Sequence, residues 1–96
     1  MKYCMIKSFK HKGLFKFFES GSLSGIQAHH ARKLQLILTR LDACICVEDM
    51  DLPGLRLHKL KGQLIQFHSV TVQANWRVIF KFEGSNAFDV DYSDYH

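Results

Sequence analysis

The 96-residue chain has few of the features that mark disordered, secreted or membrane proteins. It contains one proline and no low-complexity run, and 47% of its residues are apolar, which is typical of a globular fold. No apolar run approaches the roughly 20 residues that span a bilayer, and the opening MKYCMIKSFKHKG lacks the apolar stretch of a secretory signal. We therefore expect one cytoplasmic domain over residues 1–96 that binds no membrane.

Metal and disulfide sites also have little support in the sequence. The three cysteines, Cys4, Cys44 and Cys46, are an odd number without the paired spacing of a zinc site, so we expect free thiols. His29 and His30 are adjacent, and neighbouring side chains on a helix point about 100° apart. Because no third ligand is evident, we interpret both as exposed polar residues, and we predict no metal and no cofactor.

Positive charge is unevenly distributed along the chain. Residues 1–48 contain eight lysines and arginines against three acidic residues, a net +5, whereas residues 49–96 contain five against six, a net −1. A small basic domain is typical of proteins that bind nucleic acid or another polyanion, although an overall charge of +4 also serves solubility. Phosphate binding and a solvated helix face are therefore competing interpretations of the basic first half.

Two amphipathic helices are predicted in the first half. In HKGLFKFFESG, Leu14, Phe17 and Phe18 recur at helical spacing, and Gly21 ends the segment. A longer helix is predicted from residue 28 to residue 41. Its apolar stripe consists of Ala31, Leu34, Leu38 and Leu41.

The second half predicts strands. LRLHKL, LIQFHSVTVQ, WRVIFKFEG and AFDVDY are rich in β-branched or aromatic residues, and the short turns QAN and GSN make the last three an antiparallel meander. MIKSF near the start is a candidate fifth strand. The sequence therefore predicts an α+β fold, in which two N-terminal helices pack on one face of a twisted antiparallel sheet of four to five strands and leave the other face open for a ligand.

Residues suited to RNA cleavage are concentrated late in the chain. Attack by the 2′-hydroxyl without a metal needs a base, an acid for the leaving 5′-oxygen and cations around the phosphorane, and His, Tyr, Asp, Lys and Arg are the usual suppliers. Such residues occur in RLHKLKG, in NWR and in the terminal DYH. Spacing alone does not bring these clusters together, so solvated strand residues are the competing interpretation.

The order of four motifs resembles the HigB group of the RelE/ParE superfamily of bacterial toxins. MIKSFKHKGL, LHKLKG, NWRVIFKFEG and the terminal DYH follow one another as in that group. The resemblance runs from about Met5 to His96, so residues 1–4 are a candidate start-site extension. It implies a RelE/ParE-like fold and a ribosome-dependent endoribonuclease that enters the A site, cuts mRNA within codons and inhibits translation.

The resemblance also assigns residues. The positions that match the group's catalytic residues are His58, Lys61, Asp94, Tyr95 and His96, and a terminal strand in the sheet would hold the last three beside the first. Arg77 is added because a guanidinium binds phosphate bidentately and keeps its charge. Which group is the base and which the acid stays open. The residues expected to contact RNA or the ribosome are Lys7, Lys10, Lys12, Lys16, Arg32, Lys33, Arg40, Arg56 and Lys59.

Two residues of this chain depart from the pattern of the group. Lys59 stands where proline is common, and His68 where a bulky aromatic residue is usual.

Two alternative functions are a ParE-like toxin that inhibits gyrase and an inactive remnant that only binds its antitoxin. The implied partners are a HigA-like helix-turn-helix antitoxin, the 70S ribosome and mRNA, with operator DNA contacted only through the antitoxin.

Overall fold

A computed structural model describes residues 5–43, 46–62 and 66–94. The strands are β1 (Met5–Ile6), β2 (His58–Lys59), β3 (Phe67–Gln73), β4 (Trp76–Glu83) and β5 (Asn86–Asp94). The helices are α1 (Lys12–Ser20) and α2 (Ala31–Ala43), with short 3-10 segments at Ala28–His30 and Val47–Met50. In the described ranges no helix has the length and apolar character needed to cross a membrane. The candidate extension at residues 1–4, Cys44, Tyr95 and His96 lie outside the described residues.

Both predicted helices are confirmed. Helix α1 begins where the backbone N–H of Leu14 donates to Nδ1 of His11 over 3.0 Å, a side-chain cap for an otherwise unsatisfied donor. It ends at Gly21, whose φ of +80° suits glycine and whose N–H donates to the Phe17 carbonyl. Helix α2 follows directly from the 3-10 segment, so the predicted span of 28–41 is nearly that observed. Its buried residues are Leu34, Ile37, Leu38 and Leu41.

The sheet has the strand order β1-β5-β4-β3-β2. Strands β2 to β5 pair antiparallel as predicted, and the meander turns are tight, with Gln73 opposite Trp76 and Glu83 opposite Asn86. The candidate strand MIKSF contributes β1, which pairs in parallel with β5. The predicted α+β architecture is therefore confirmed, with a short parallel strand added at one edge.

The segment LRLHKL is a less regular strand than its sequence pattern suggests. Only His58 and Lys59 pair regularly with β3, yet the segment is bonded to β3 at both ends. The N–H of Thr71 donates to the Leu55 carbonyl at 2.6 Å, and the N–H of Leu60 donates to the Phe67 carbonyl at 2.9 Å. Between them Arg56 has a φ of +52°, which interrupts the extended backbone. This edge therefore curves while staying attached to the sheet.

The two faces of the sheet have different roles. Val70, Val78 and Phe80 are fully buried and belong to the same hydrophobic core as the α2 stripe. Because side chains alternate along a strand, Ser69, Thr71 and Arg77 lie on the opposite face. The helices therefore cover one face and leave the other available to a ligand, as the sequence predicted.

Candidate active site

A cleft of about 560 Å³ opens on the face of the sheet that the helices leave uncovered. It is lined by Arg56, Leu57, His58, Leu60, Lys61, Ser69, Thr71 and Arg77. One wall is the irregular edge segment before and after β2, and the floor comes from β3 and β4. Two of the three sequence clusters suited to RNA chemistry therefore meet in one place.

Strand register explains how these distant residues meet. His58 on β2 is directly opposite Ser69 on β3, and Thr71, two residues further along, is directly opposite Arg77 on β4. Residues directly opposite on neighbouring strands place their side chains on the same face, as do residues two apart on one strand. His58 and Arg77 are consequently held across the same floor although 19 positions separate them in the sequence.

Arg77 is fixed at the tip of the β3–β4 turn. Its Nη1 donates to the Ala74 carbonyl at 2.7 Å and lies 3.4 Å from the Trp76 carbonyl. Ala74 has a φ of +51°, which places its carbonyl within reach of the guanidinium. Among the described residues only Nη1 of this side chain has a hydrogen-bond partner, so the other donor groups are available to an anion in the cleft.

The cleft is cationic. Three of its lining side chains, Arg56, Lys61 and Arg77, are cations, His58 contributes an imidazole, and no described carboxylate lines it. Such a set binds a phosphodiester and stabilises charge that develops on it. An imidazole among cations adds a group that can donate or accept a proton.

The predicted catalytic residues divide into three groups. His58, Lys61 and Arg77 line the cleft together. Asp94 does not line it, because β5 is separated from β2 by two strands and Asp94 is opposite Trp76, on the face that the helices cover. Asp94 is therefore not brought to the cleft floor beside His58, and its catalytic assignment stays a prediction. Tyr95 and His96 belong to the part of the chain that is not described.

The predicted RNA-binding residues do not form one surface. Arg56 lines the cleft, whereas Lys59 is opposite His68 and on the other face of β2. Lys7 and Lys12 line a separate depression beside β1, at the far edge of the sheet. The residues carried by α2, namely Arg32, Lys33 and Arg40, are on the helical side of the domain. Lys10 precedes α1 and Lys16 lies on it, and both are exposed.

Three aromatic rings form an exposed cluster beside that far edge, here called the phenylalanine patch. Phe9 lies 5.5 Å from Phe15 and 5.5 Å from Phe18, measured between ring centroids. The rings of α1 are incompletely covered, with Phe15 43% and Phe18 37% exposed. Because Lys7, Lys12 and Glu19 line the same depression, the patch is apolar with a charged rim in which lysine predominates.

His30 corrects the interpretation that both adjacent histidines are exposed. His29 is exposed, but His30 is only 2% exposed. Its Nδ1 lies 2.7 Å from the Tyr92 hydroxyl and its Nε2 lies 2.8 Å from Oε1 of Gln73. A buried imidazole needs such partners, and here they come from the ends of β5 and β3, 62 and 43 residues away. The adjacency of His29 and His30 in the sequence gave no indication of these contacts.

His68, the other departure, does not line the cleft. Its ring stacks on Phe80, with the centroids 5.8 Å apart. Burial lowers the pKa of His68 from its ordinary value, and the nearby Lys59 charge lowers it further. The neutral imidazole thus replaces an apolar aromatic ring at the border of the core.

Comparison with known proteins identifies the family. Residues 7–96 match the sequence model of the RelE-like toxin of type II toxin-antitoxin systems, HigB. The chain belongs to the HigB toxin family. A curated relative, Endoribonuclease HigB of Proteus vulgaris, is 40% identical over 92 residues, which cover 96% of this chain and all of the relative. The HigB resemblance inferred from the four motifs is therefore confirmed over almost the whole chain.

The cleft of this HigB toxin also contains residues that sequence analysis did not single out. Ser69 and Thr71 form its floor, and Leu57 and Leu60 flank His58. The signal for the two hydroxyls was present in the hairpin pattern, since alternation along HSVTVQ places positions 69 and 71 on the same face as Arg77 once β3 and β4 are aligned.

Proposed function

We propose that this HigB toxin is a ribosome-dependent endoribonuclease that cuts mRNA within codons in the A site and so blocks translation. The endoribonuclease activity rests on membership of the family and on similarity to the Proteus vulgaris enzyme over 96% of the chain. The observation that carries the proposal is the cationic cleft, where His58, Lys61 and Arg77 line one surface with Arg56.

The proposed chemistry is an internal transesterification. The 2′-oxygen attacks the adjacent phosphorus, the new bond gives a 2′,3′-cyclic phosphate, and the bond from phosphorus to the 5′-oxygen breaks. His58 transfers a proton to or from the reacting oxygens, because it is the only described imidazole in the cleft. Lys61 and Arg77 neutralise the negative charge that increases on the phosphorane. No step of this scheme needs a metal.

The chain terminus supplies the second proton-transfer group in this proposal. Two such groups are needed, one for the 2′-hydroxyl and one for the 5′-oxygen, and the described cleft contains a single imidazole. Tyr95 and His96 match catalytic positions of the family and follow directly after β5. Asp94 acts at a distance from the floor of the cleft, by orienting the terminal residues rather than by contacting RNA.

The phenylalanine patch favours a protein partner, and the partner implied by the family is a HigA-like antitoxin. An apolar cluster whose rim holds two lysines and one glutamate suits an amphipathic segment that carries mainly acidic residues. The patch lies on the far edge of the sheet from β2. Antitoxin binding there leaves the cleft uncovered, so inhibition arises because the bound antitoxin keeps the toxin out of the A site.

A ParE-like inhibitor of gyrase is the competing function. Gyrase inhibition requires no group that transfers protons to a phosphodiester. This cleft, in contrast, is lined by one imidazole and three cationic side chains. An inactive remnant is also disfavoured, since neither Lys59 nor His68 lines the cleft. The structure thus supports the nuclease over both alternatives.

Primer extension on a translated mRNA tests the proposal. The protein with an untagged C-terminus is compared with His58→Ala, His96→Gln and the matched control His29→Ala, each with and without 70S ribosomes. Cuts within codons should require ribosomes, persist with the His29 variant and disappear with His58→Ala. Intact mRNA with the unmodified protein, alongside inhibition of purified gyrase, would replace this proposal with the ParE-like function.

A further inference from the structure

Ser69 has an unusual position for a polar side chain. It is 4% exposed, and it lines the cationic cleft. Its hydroxyl makes no hydrogen bond to any residue in the described ranges, whereas His30, the other buried polar residue, is bonded through both ring nitrogens. In the described ranges the one enclosed side-chain polar atom without a partner is Oδ1 of Asn86, so the Ser69 hydroxyl still reaches the space of the cleft. Because Ser69 lines the cleft and its hydroxyl has no described protein partner, the hydroxyl is available to a ligand there.

The surroundings of Ser69 indicate what that ligand atom is. Ser69 is directly opposite His58, and its neighbour on the same face, Thr71, is directly opposite Arg77. The hydroxyl thus lies on the central strand of the floor, between the imidazole and the guanidinium. A ligand group drawn to this position by Arg56, Lys61 and Arg77 is anionic and accepts hydrogen bonds.

We propose that the Ser69 hydroxyl donates a hydrogen bond to one non-bridging oxygen of the scissile phosphate. This inference rests on the proposed nuclease function and adds a substrate-contacting residue to it. A donor held in place by the sheet gains strength as the phosphate becomes a dianionic phosphorane. Ser69 accordingly favours the transition state over the bound substrate and acts mainly on kcat.

Phosphorothioate substrates provide the test, because sulfur is a weak hydrogen-bond acceptor. A short mRNA is programmed in the ribosomal A site with sulfur replacing either non-bridging oxygen at the mapped cut. Ser69→Ala should cut the all-oxygen mRNA more slowly, by a factor on the order of 100. One sulfur diastereomer should slow the unmodified toxin but slow Ser69→Ala much less, since the bond is already lost. A general distortion of the site would not remove the response to one diastereomer alone.

Thr71→Val is the matched control, since Thr71 lines the same floor but is less buried. It should keep the diastereomer preference of the unmodified toxin. The nearly isosteric Ser69→Cys should match Ser69→Ala, and equal thermal unfolding midpoints verify folding for both variants. Full activity of Ser69→Ala, or an undiminished sulfur effect in it, overturns the inference. A toxin that cuts no mRNA even unmodified overturns the nuclease proposal itself, so the two failures are distinct.

Discussion

Nδ1 of His30 lies 2.7 Å from the hydroxyl oxygen of Tyr92, where the start of α2 meets the end of β5. Because Nε2 of His30 bonds the acceptor Oε1 of Gln73, the ring carries its proton on Nε2 and Nδ1 accepts from Tyr92. The phenol oxygen is also 3.3 Å from the backbone N–H of Gln27. This buried network connects three elements and anchors the strand that leads to the chain terminus.

We predict that His30→Phe lowers the free energy of unfolding by about 1–3 kcal/mol. The phenyl ring fills a similar volume but removes the buried acceptor of the Tyr92 hydroxyl, whereas Oε1 of Gln73 keeps Nε2 of His29 at 3.1 Å. Urea unfolding followed by circular dichroism measures the change. His29→Ala removes an exposed ring whose Nε2 lies 3.1 Å from the same Gln73 oxygen, so it should cost less than His30→Phe, about 1 kcal/mol at most. Equal stability of both variants would contradict the structural role of His30.

His68 should make the toxin less stable in mild acid. Burial lowers its folded-state pKa below the ordinary value of 6.5, so the folded protein disfavours the charged ring. The contribution of His68 to the free energy of unfolding is present in full above pH 6.5 and is lost as the pH falls through the folded-state pKa. In His68→Phe the unfolding free energy should therefore decline less steeply below pH 6.5. Parallel curves for the two proteins would show that His68 does not carry the effect.

Arg77→Lys should reduce mRNA cleavage by about 10- to 100-fold although it keeps the charge. An ammonium group cannot bond the Ala74 carbonyl and present further donors to a phosphate in the fixed geometry of a guanidinium. Single-turnover rates on ribosome-bound mRNA measure the loss. The matched control is Lys81→Ala, since Lys81 also lies on β4 but pairs with Glu83 outside the cleft. Similar rates for Arg77→Lys and the unmodified toxin would exclude a specific role for the guanidinium.

The phenylalanine patch predicts where antitoxin affinity resides. Replacing Phe15 and Phe18 together by serine should weaken binding of a HigA-like antitoxin at least tenfold, because buried aromatic anchors dominate most protein interfaces. Calorimetric titration with the purified antitoxin provides the affinity, and cleavage of translated mRNA should be unchanged. Leu36→Ser is the control, as Leu36 is an apolar residue of α2 that is 52% exposed. A larger loss of affinity with the control variant would place the interface on α2 instead.

Sequence analysis predicted the parts of this fold that depend on local patterns. The glycine stop after α1, the leucine stripe of α2 and the two tight turns of the meander each follow from a few neighbouring residues. The cleft was predictable in part, because motif order assigned His58 and Lys61 and the chemistry of guanidinium added Arg77. Ser69 was within reach as well, since a correctly aligned hairpin places it on the same face as Arg77.

The remaining features depend on contacts between distant parts of the chain. The burial of His30 follows from partners 62 and 43 residues away, which helical periodicity does not reveal. The position of Asp94 follows from strand order, because β3 and β4 lie between β5 and β2. The positive φ of Arg56 reflects tertiary attachment to β3 rather than local preference, since arginine rarely adopts it. Each of these features could be found only once the pairing of the strands in the sheet was known.

The chemistry of the cut ends tests the central claim most directly. Ribosome-bound mRNA cleaved by the unmodified toxin should end in a 2′,3′-cyclic phosphate upstream of the cut and a 5′-hydroxyl downstream, as mass spectrometry of the fragments would show. A single 2′-deoxynucleotide before the cut should abolish cleavage at that bond. A 5′-phosphate on the downstream fragment, or undiminished cleavage at the deoxy position, would contradict attack by the 2′-hydroxyl and with it the role assigned to this cleft.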